Sequence, residues 1–296
     1  MTGVRITERL MVSRSLTSLQ SGLGRLAVTQ EQLSSGRVIN RPSDSPSGTN
    51  DAMRLRAQLA AQTQYKSNAE DGGSWLDHTD ATLGSMVKQV DRARELMLSG
   101  ASTGNNNAAS REALATELAQ IRDGLIDEAN TQHLGRPLFG GTTAGEAAYD
   151  EDGTFIGDDN PVLRTIGDGV DIAINVSGGT AFTSAGGQDL FTVLNNAIDA
   201  LRNDPSALTG GIADLDAVLV SMKSAQAEIG ARTNRVESTL DALASADLNT
   251  KGALSTIENV DIASATMDLQ MQEVAYQASL AATARVIQPS LVDFLR

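Results

Sequence analysis

The residues of this chain that carry reactive groups are few, and their spacing sets up no reaction. There are two histidines, His78 and His133. His78 has Asp80 two residues on, which on a helix points elsewhere, and no ligand type follows four residues later. Both are read as ordinary histidines in helix or helix-end contexts. Asp150-Glu151-Asp152-Gly153, with Asp158 and Asp159 close by, has the acid density of a calcium loop. The third acid before the glycine and the terminal glutamate of an EF-hand are misplaced, so a solvated hairpin tip is expected. Gly140-Gly141-Thr142 lacks the GxxxxGK[ST] pattern of a phosphate loop, and no GxSxG nucleophile elbow occurs. Asn175-Val176-Ser177 fits a glycosylation sequon, a pattern frequent by chance. The absence of cysteine removes thiolate nucleophiles, disulfides and thiolate metal sites together. The reading is a protein that is not an enzyme and that holds neither metal nor cofactor.

The informative pattern lies in the elements at the two ends. Leu16, Leu19, Leu23, Leu26 and Leu33 recur at steps of three and four, with Gln30 between the last two. Near the other end Ile262, Ala265, Leu269, Gln272, Tyr276, Ser279, Thr283 and Val286 keep the same step. That is the rhythm of helices that want partner helices. It implies a chain that folds back on itself, its ends meeting at one pole of an elongated helical rod. Residues 1–41 carry six arginines against two glutamates, and residues 255–296 carry five acids against two arginines. Opposite signs favour pairing of the terminal helices and help set their register.

The first helix is expected from about Thr7 to Ser35, closed by Gly36. Arg41-Pro42-Ser43-Asp44-Ser45-Pro46 is a break, with Ser47 or Asn50 capping the next helix. Asp71-Gly72-Gly73 weakens that pattern before Leu76, Leu83, Val87 and Val90 restore it. Ser110 is expected to cap a third helix. Residues 141–205 then change character, with eleven acids and two arginines. Val170, Ile172, Ile174 and Val176 alternate with Asp171, Ala173, Asn175 and Ser177 as a half-buried strand does. Helix resumes near Gln188, and a long helical stretch from Ile212 reaches the terminal helix past breakers at Asn249 to Gly252. The fold class is therefore mainly α. It divides into a terminal coiled-coil domain (1–40 with 255–296), a central helical bundle (41–140 with 187–254) and a small β-rich insertion (141–186). The insertion is expected to be compact, and the flanking helices to close without it.

The 296 residues are 41% hydrophobic but only 3% aromatic, thin for a large enzyme and sufficient for slender helical bodies. A net charge of -14 argues against nucleic acid. No run of about 18 apolar residues exists to span a membrane. The N-terminus has no apolar stretch of a secretory signal, so either the protein stays in the cytoplasm or it is exported without a cleaved signal.

Several segments resemble one family. Gln32-Leu33-Ser34-Ser35-Gly36-Arg37-Val38-Ile39-Asn40-Arg41-Pro42-Ser43-Asp44 and the run from Gln270 to Arg296 are similar to the terminal signatures of bacterial flagellins and their relatives. Glu95-Leu96, Asn130 to Thr142 and Gly230 to Glu237 match as well, so the resemblance covers roughly 230 residues. Residues 141–186 resemble nothing recognisable. Val4-Arg5-Ile6-Thr7, the proline of Arg41-Pro42-Ser43-Asp44, and the ending from Ser290 to Arg296 resemble the hook–filament junction (hook-associated protein 3) branch. Ser45 departs from a pattern that often has a second aspartate there.

The resemblance implies a structural component of the bacterial flagellum, extracellular and exported unfolded through the flagellar type III channel. On that implication it joins hook-associated protein 1 on the hook side to flagellin on the filament side, forms a ring with itself, and meets an export chaperone in the cytoplasm; a filament subunit of the flagellin type is the alternative. The positions expected to make the assembly contacts are Leu16, Leu19, Leu23, Leu26, Leu33, Ile262, Leu269, Tyr276, Leu280, Ile287, Leu291 and Phe294.

Overall fold

A computed structural model describes residues 2–102, 107–143 and 145–294, with side chains over 10–102, 107–143 and 145–284. Helix α1 (Thr2–Ser35) ends at Gly36, whose φ of +71° is the left-handed turn expected there. Helix α2 (Pro46–Ala101) starts with proline, which loses nothing at a position whose N–H has no helical partner. The capping oxygen is Ser45 Oγ, which accepts from Gly48 N at 3.2 Å, rather than Ser47 or Asn50. The helix runs unbroken through Asp71-Gly72-Gly73. A Cβ on Gly72 would stand 2.9 Å from Ile174 Cγ2, so this glycine admits a packed neighbour and is no stop signal. Helix α3 (Ala108–Ala129) is capped by Asn107, which accepts from Ser110 N, and not by Ser110 itself.

Two short strands follow, β1 (Gln132–His133) and β2 (Arg136–Pro137), antiparallel across a Leu134-Gly135 turn. Strands β3 (Leu163–Gly167) and β4 (Val170–Ala173) form a second antiparallel pair with an irregularity between Thr165 and Gly167. Helices α4 (Gly178–Ala181) and α5 (Leu190–Asn203) come next, the latter capped by Asp189. Helix α6 (Leu208–Glu258) passes through Asn249 to Gly252 without the expected break. An interior glycine costs only about 1 kcal/mol, and Thr250 is buried there. The chain turns instead at Asn259-Val260-Asp261, and Asp261 caps α7 (Ile262–Phe294) by accepting from Ala263 N. The class is mainly α, with two small two-stranded sheets among the described residues.

The chain forms two compact units, residues 1–61 with 247–296, and residues 62–246. In the second, polar links run down one helix as they run up its neighbour, so the neighbours are antiparallel. Arg92 pairs with Glu117 while Ser85 and Gln89 donate to Glu128, joining α2 to α3. Arg94 pairs with Asp216 on α6, and Arg202 with Glu112 joins α5 to α3. Such exposed pairs contribute at most about 1 kcal/mol each. The larger stabilisation comes from fully buried Leu76, Leu83, Met86, Leu118, Leu125, Leu215 and Met222.

Segment 141–186 enters that same core. Ile166, Ile172, Ile174, Tyr149 and Phe182 are buried in one cluster with the helices. Phe139 meets Phe182 edge-on at 5.0 Å, and Tyr149 meets Phe191 at 4.9 Å. Arg232 of α6 donates to the carbonyls of Ala173 and Asn175. The segment therefore shares its core with the helices, contributing Tyr149 and Phe182 beside Phe139 and Phe191 of the flanking chain.

Three of its polar side chains are committed to local structure. Asn175 of the sequon is buried, accepts from Val162 N at 2.7 Å and donates to Asn160 O, so it is shut away from glycosylation. Asp150 closes its hairpin by accepting from Asp152 N and Thr154 N. The Asp158 carboxylate accepts from Thr142 N, Thr142 Oγ1, Thr143 Oγ1 and Asn160 N. These donors, the Thr142 N–H foremost, hold its carboxyl well below the usual carboxylate range.

Candidate assembly interface

Within the unit of residues 1–61 and 247–296, α1 and α7 pack as an antiparallel pair. The half-buried positions of α1 are Val12, Ser15, Leu19, Gly22, Leu26 and Leu33, with Thr29 buried among them. Those of α7 are Leu269, Gln272, Tyr276, Ser279 and Thr283, with Ala265 buried. Alternate steps of three and four keep each set on one face. The Tyr276 ring lies over Gly22, where a Cβ would stand 3.5 Å from Cδ2. Thr29 Oγ1 is 3.3 Å from Gln272 Oε1 and also donates to its own helix at Arg25 O. A polar pair inside such a seam costs stability but penalises every other register.

The loops at the open ends of these helices are tied together. Val38 N donates to Glu258 O at 2.7 Å, and Val260 N donates to Gly36 O at 3.0 Å, a short antiparallel bridge centred on Arg37 and Asn259. Arg56 of α2 pairs with the buried carboxylate of Glu258 at 2.7 Å. Asp44 accepts from the backbone N–H groups of Asn40 and Arg41, and Arg41 reaches back to Glu31. The segment from Gln32 to Asp44 thus shapes the turn that sets how α1 meets α7. Among the described residues no ion pair crosses from α1 to α7, and the bridge and the Thr29–Gln272 contact are the polar links between them.

Of the expected assembly positions, Leu19, Leu26, Leu33, Leu269 and Tyr276 lie in this seam, half-buried by the chain's own partner helix. Leu16, Leu23, Ile262 and Leu280 lie outside it and are exposed. The side chains of Ile287, Leu291 and Phe294 lie outside the described residues. Three further apolar positions stand out. Met267, Met271 and Val274 form a second apolar stripe on α7, offset from the seam and 63%, 66% and 67% exposed. Their steps of four and three were present in the sequence, but one stripe on a helix is enough to satisfy a search for periodicity. Among the described residues of this unit only Ala52 and Ala265 are buried apolar side chains. Helices with two apolar faces and one neighbour remain half-satisfied.

Sequence comparison places this arrangement. The description "Bacterial flagellin N-terminal helical region" matches residues 6–144, and "Bacterial flagellin C-terminal helical region" matches residues 212–295. The chain belongs to the bacterial flagellin family. It is a structural component of the flagellum. Flagellar hook-associated protein 3 of Salmonella typhimurium is 26% identical over 302 residues, covering 93% of this chain and 95% of that protein. The flagellar filament 30.7 kDa core protein of Treponema maltophilum is 28% identical over 261 residues, 86% of each chain. The crystal structure of flagellar hook associated protein-3 from Legionella pneumophila shares the fold, with a TM-score of 0.63 at 13% identity, over 69% of this chain and 98% of that one. This flagellin-family chain thus keeps both terminal helical regions, and the seam and the second stripe lie within them.

Proposed function

We propose that this flagellin-family protein is the adapter of the hook–filament junction, joining hook-associated protein 1 on the hook side to flagellin on the filament side. The observation that carries an assembly role is the open apolar stripe of Met267, Met271 and Val274 on a helix whose other apolar stripe already has its partner. A helix with two such faces is built to be surrounded by further helices. The seam residues Leu19, Leu26, Leu33, Leu269 and Tyr276 then shape the paired helices. Leu16, Leu23, Ile262 and Leu280, with Ile287, Leu291 and Phe294 further along α7, supply contacts to neighbouring copies in a ring. Residues 1–40 and 255–296 are the assembling domain in this reading, 41–140 with 187–254 the bundle, and 141–186 the insertion. Export through the flagellar type III channel, with a chaperone holding the C-terminal helix, fits a chain without cysteine.

The alternative is a flagellin-type filament subunit, favoured by the similar identity to a filament core protein. The junction reading is favoured by Pro42 and by the ending from Ser290 to Arg296. Electron microscopy of a deletion strain separates them. Hooks without filaments, with flagellin released into the medium, support the adapter. Short or altered filaments on intact hooks support the filament subunit.

A further inference from the structure

The chain has two histidines and one tryptophan, and the fold brings all three together. His78 sits on α2 and His133 on β1. Their ring centroids are 5.7 Å apart with the planes at 69°. Trp75, one turn before His78 and 2% exposed, meets His133 at 5.3 Å. Its Nε1 has no hydrogen-bond partner. His78 is exposed and His133 half-buried, so both imidazoles are open to solvent. Among the described residues no hydrogen bond engages a nitrogen of either ring.

Both residues stand in hydrogen-bonded secondary structure. His78 stands inside a 56-residue helix. His133 stands in a two-residue strand opposite Arg136, next to a turn in which Leu134 and Gly135 both take positive φ, 52° and 78°. The bond from Leu138 N to Thr131 O closes the base of that hairpin.

We propose that His78 and His133 form a two-ligand site for a borderline divalent metal ion of the zinc, nickel and copper class. Imidazole nitrogen suits these ions. An ion about 2.0–2.1 Å from one nitrogen of each ring, at a near-tetrahedral angle, sets the ring centroids about 5–6 Å apart, as they stand here. No group of three or more potential ligands occurs among the described residues, so water completes the coordination and the site is open. The ion ties the β1–β2 hairpin to α2. It binds only where the fold has joined the two rings, and so it stabilises the folded state by mass action.

The test uses the full chain and Cu²⁺ as probe, read by the fluorescence of Trp75, the single tryptophan. Cu²⁺ beside His133 should quench that emission saturably with one ion per chain, and Zn²⁺, which does not quench, should compete and restore it. His78→Asn and His133→Asn should each weaken the apparent affinity by about tenfold or more, and the double variant should abolish saturable quenching. Far-UV circular dichroism melts check that each variant is folded. His78 is exposed, so its variant stays interpretable if the hairpin variant does not fold. Quenching unchanged in folded His78→Asn, or linear and unsaturable in the wild type, would mean that the rings only pack together and that the ion meets scattered carboxylates. Either outcome overturns the proposal.

Discussion

Met271 is the residue at which folding and assembly separate most cleanly. It is 66% exposed in the single chain, so Met271→Asp should change the thermal stability of the monomer by no more than about 0.5 kcal/mol. Full burial of a methionine contributes about 1.5–3 kcal/mol. Neighbouring helices covering the exposed two-thirds would therefore contribute about 1–2 kcal/mol per subunit. An aspartate in that place forfeits this and leaves a carboxylate without a partner in a drying interface, about 2–3 kcal/mol more. The sum, about 3–5 kcal/mol, is a loss of about a hundredfold or more in each contact. Leu219 is the control, 5% exposed in the bundle. Leu219→Asp removes about 2–3 kcal/mol of burial and buries an unpaired charge, together at least about 5 kcal/mol against a domain stability of about 5–15 kcal/mol. Leu269→Asp should fall between them, because Leu269 is already half-buried against α1. Circular dichroism melts of purified proteins, beside motility and electron microscopy of complemented strains, rank the three. A Met271→Asp protein that assembles like the wild type would refute the reasoning. So would one that melts as low as Leu219→Asp, since the second stripe would then belong to the monomer core.

The helix glycines divide by what surrounds them. Gly230→Ala meets nothing within 4 Å and should stabilise the chain by about 0.5–1 kcal/mol, whereas Gly72→Val, driven against Ile174, should destabilise it by about 1–3 kcal/mol; urea titrations of both read the signs. Asp158 has a depressed folded-state pKa, so its contribution is fully present above the ordinary carboxylate value near 3.9 and is lost as pH falls further towards the folded value. The stability gap between wild type and Asp158→Asn should accordingly stay constant from pH 7 to about pH 4 and narrow only below that; a gap that narrowed between pH 7 and 5 would contradict this. Limited proteolysis should cut within residues 1–40 and 255–296 before it enters 62–246, because the terminal unit buries so few apolar side chains. Equal protection of the two, read by mass spectrometry, would contradict that account.

The sequence alone determined the terminal helix pair, the α7 seam from Ala265 to Thr283, and the Gly36 stop. Each follows from a local period of three and four or from one backbone conformation that glycine adopts freely. The α1 seam was only partly legible. Leu16 and Leu23 lie outside it while Gly22 and Thr29 lie inside, since a helix with two apolar faces does not reveal which one its own partner takes. Gly72 looked like a weak point in α2, and the Asn249 to Gly252 stretch like a break, for a related reason. A glycine that weakens a helix and one that makes room for Ile174 are the same letter, and only the packed neighbour distinguishes them. Segment 141–186 looked separable because its strand and turn signals are local. Its aromatic packing joins Phe139 to Phe182 and Tyr149 to Phe191, partners close in space and distant in sequence. The meeting of His78, His133 and Trp75 was invisible for the same reason: an α2 position and a β1 position have no shared period, and only the tertiary fold sets the distance between their rings.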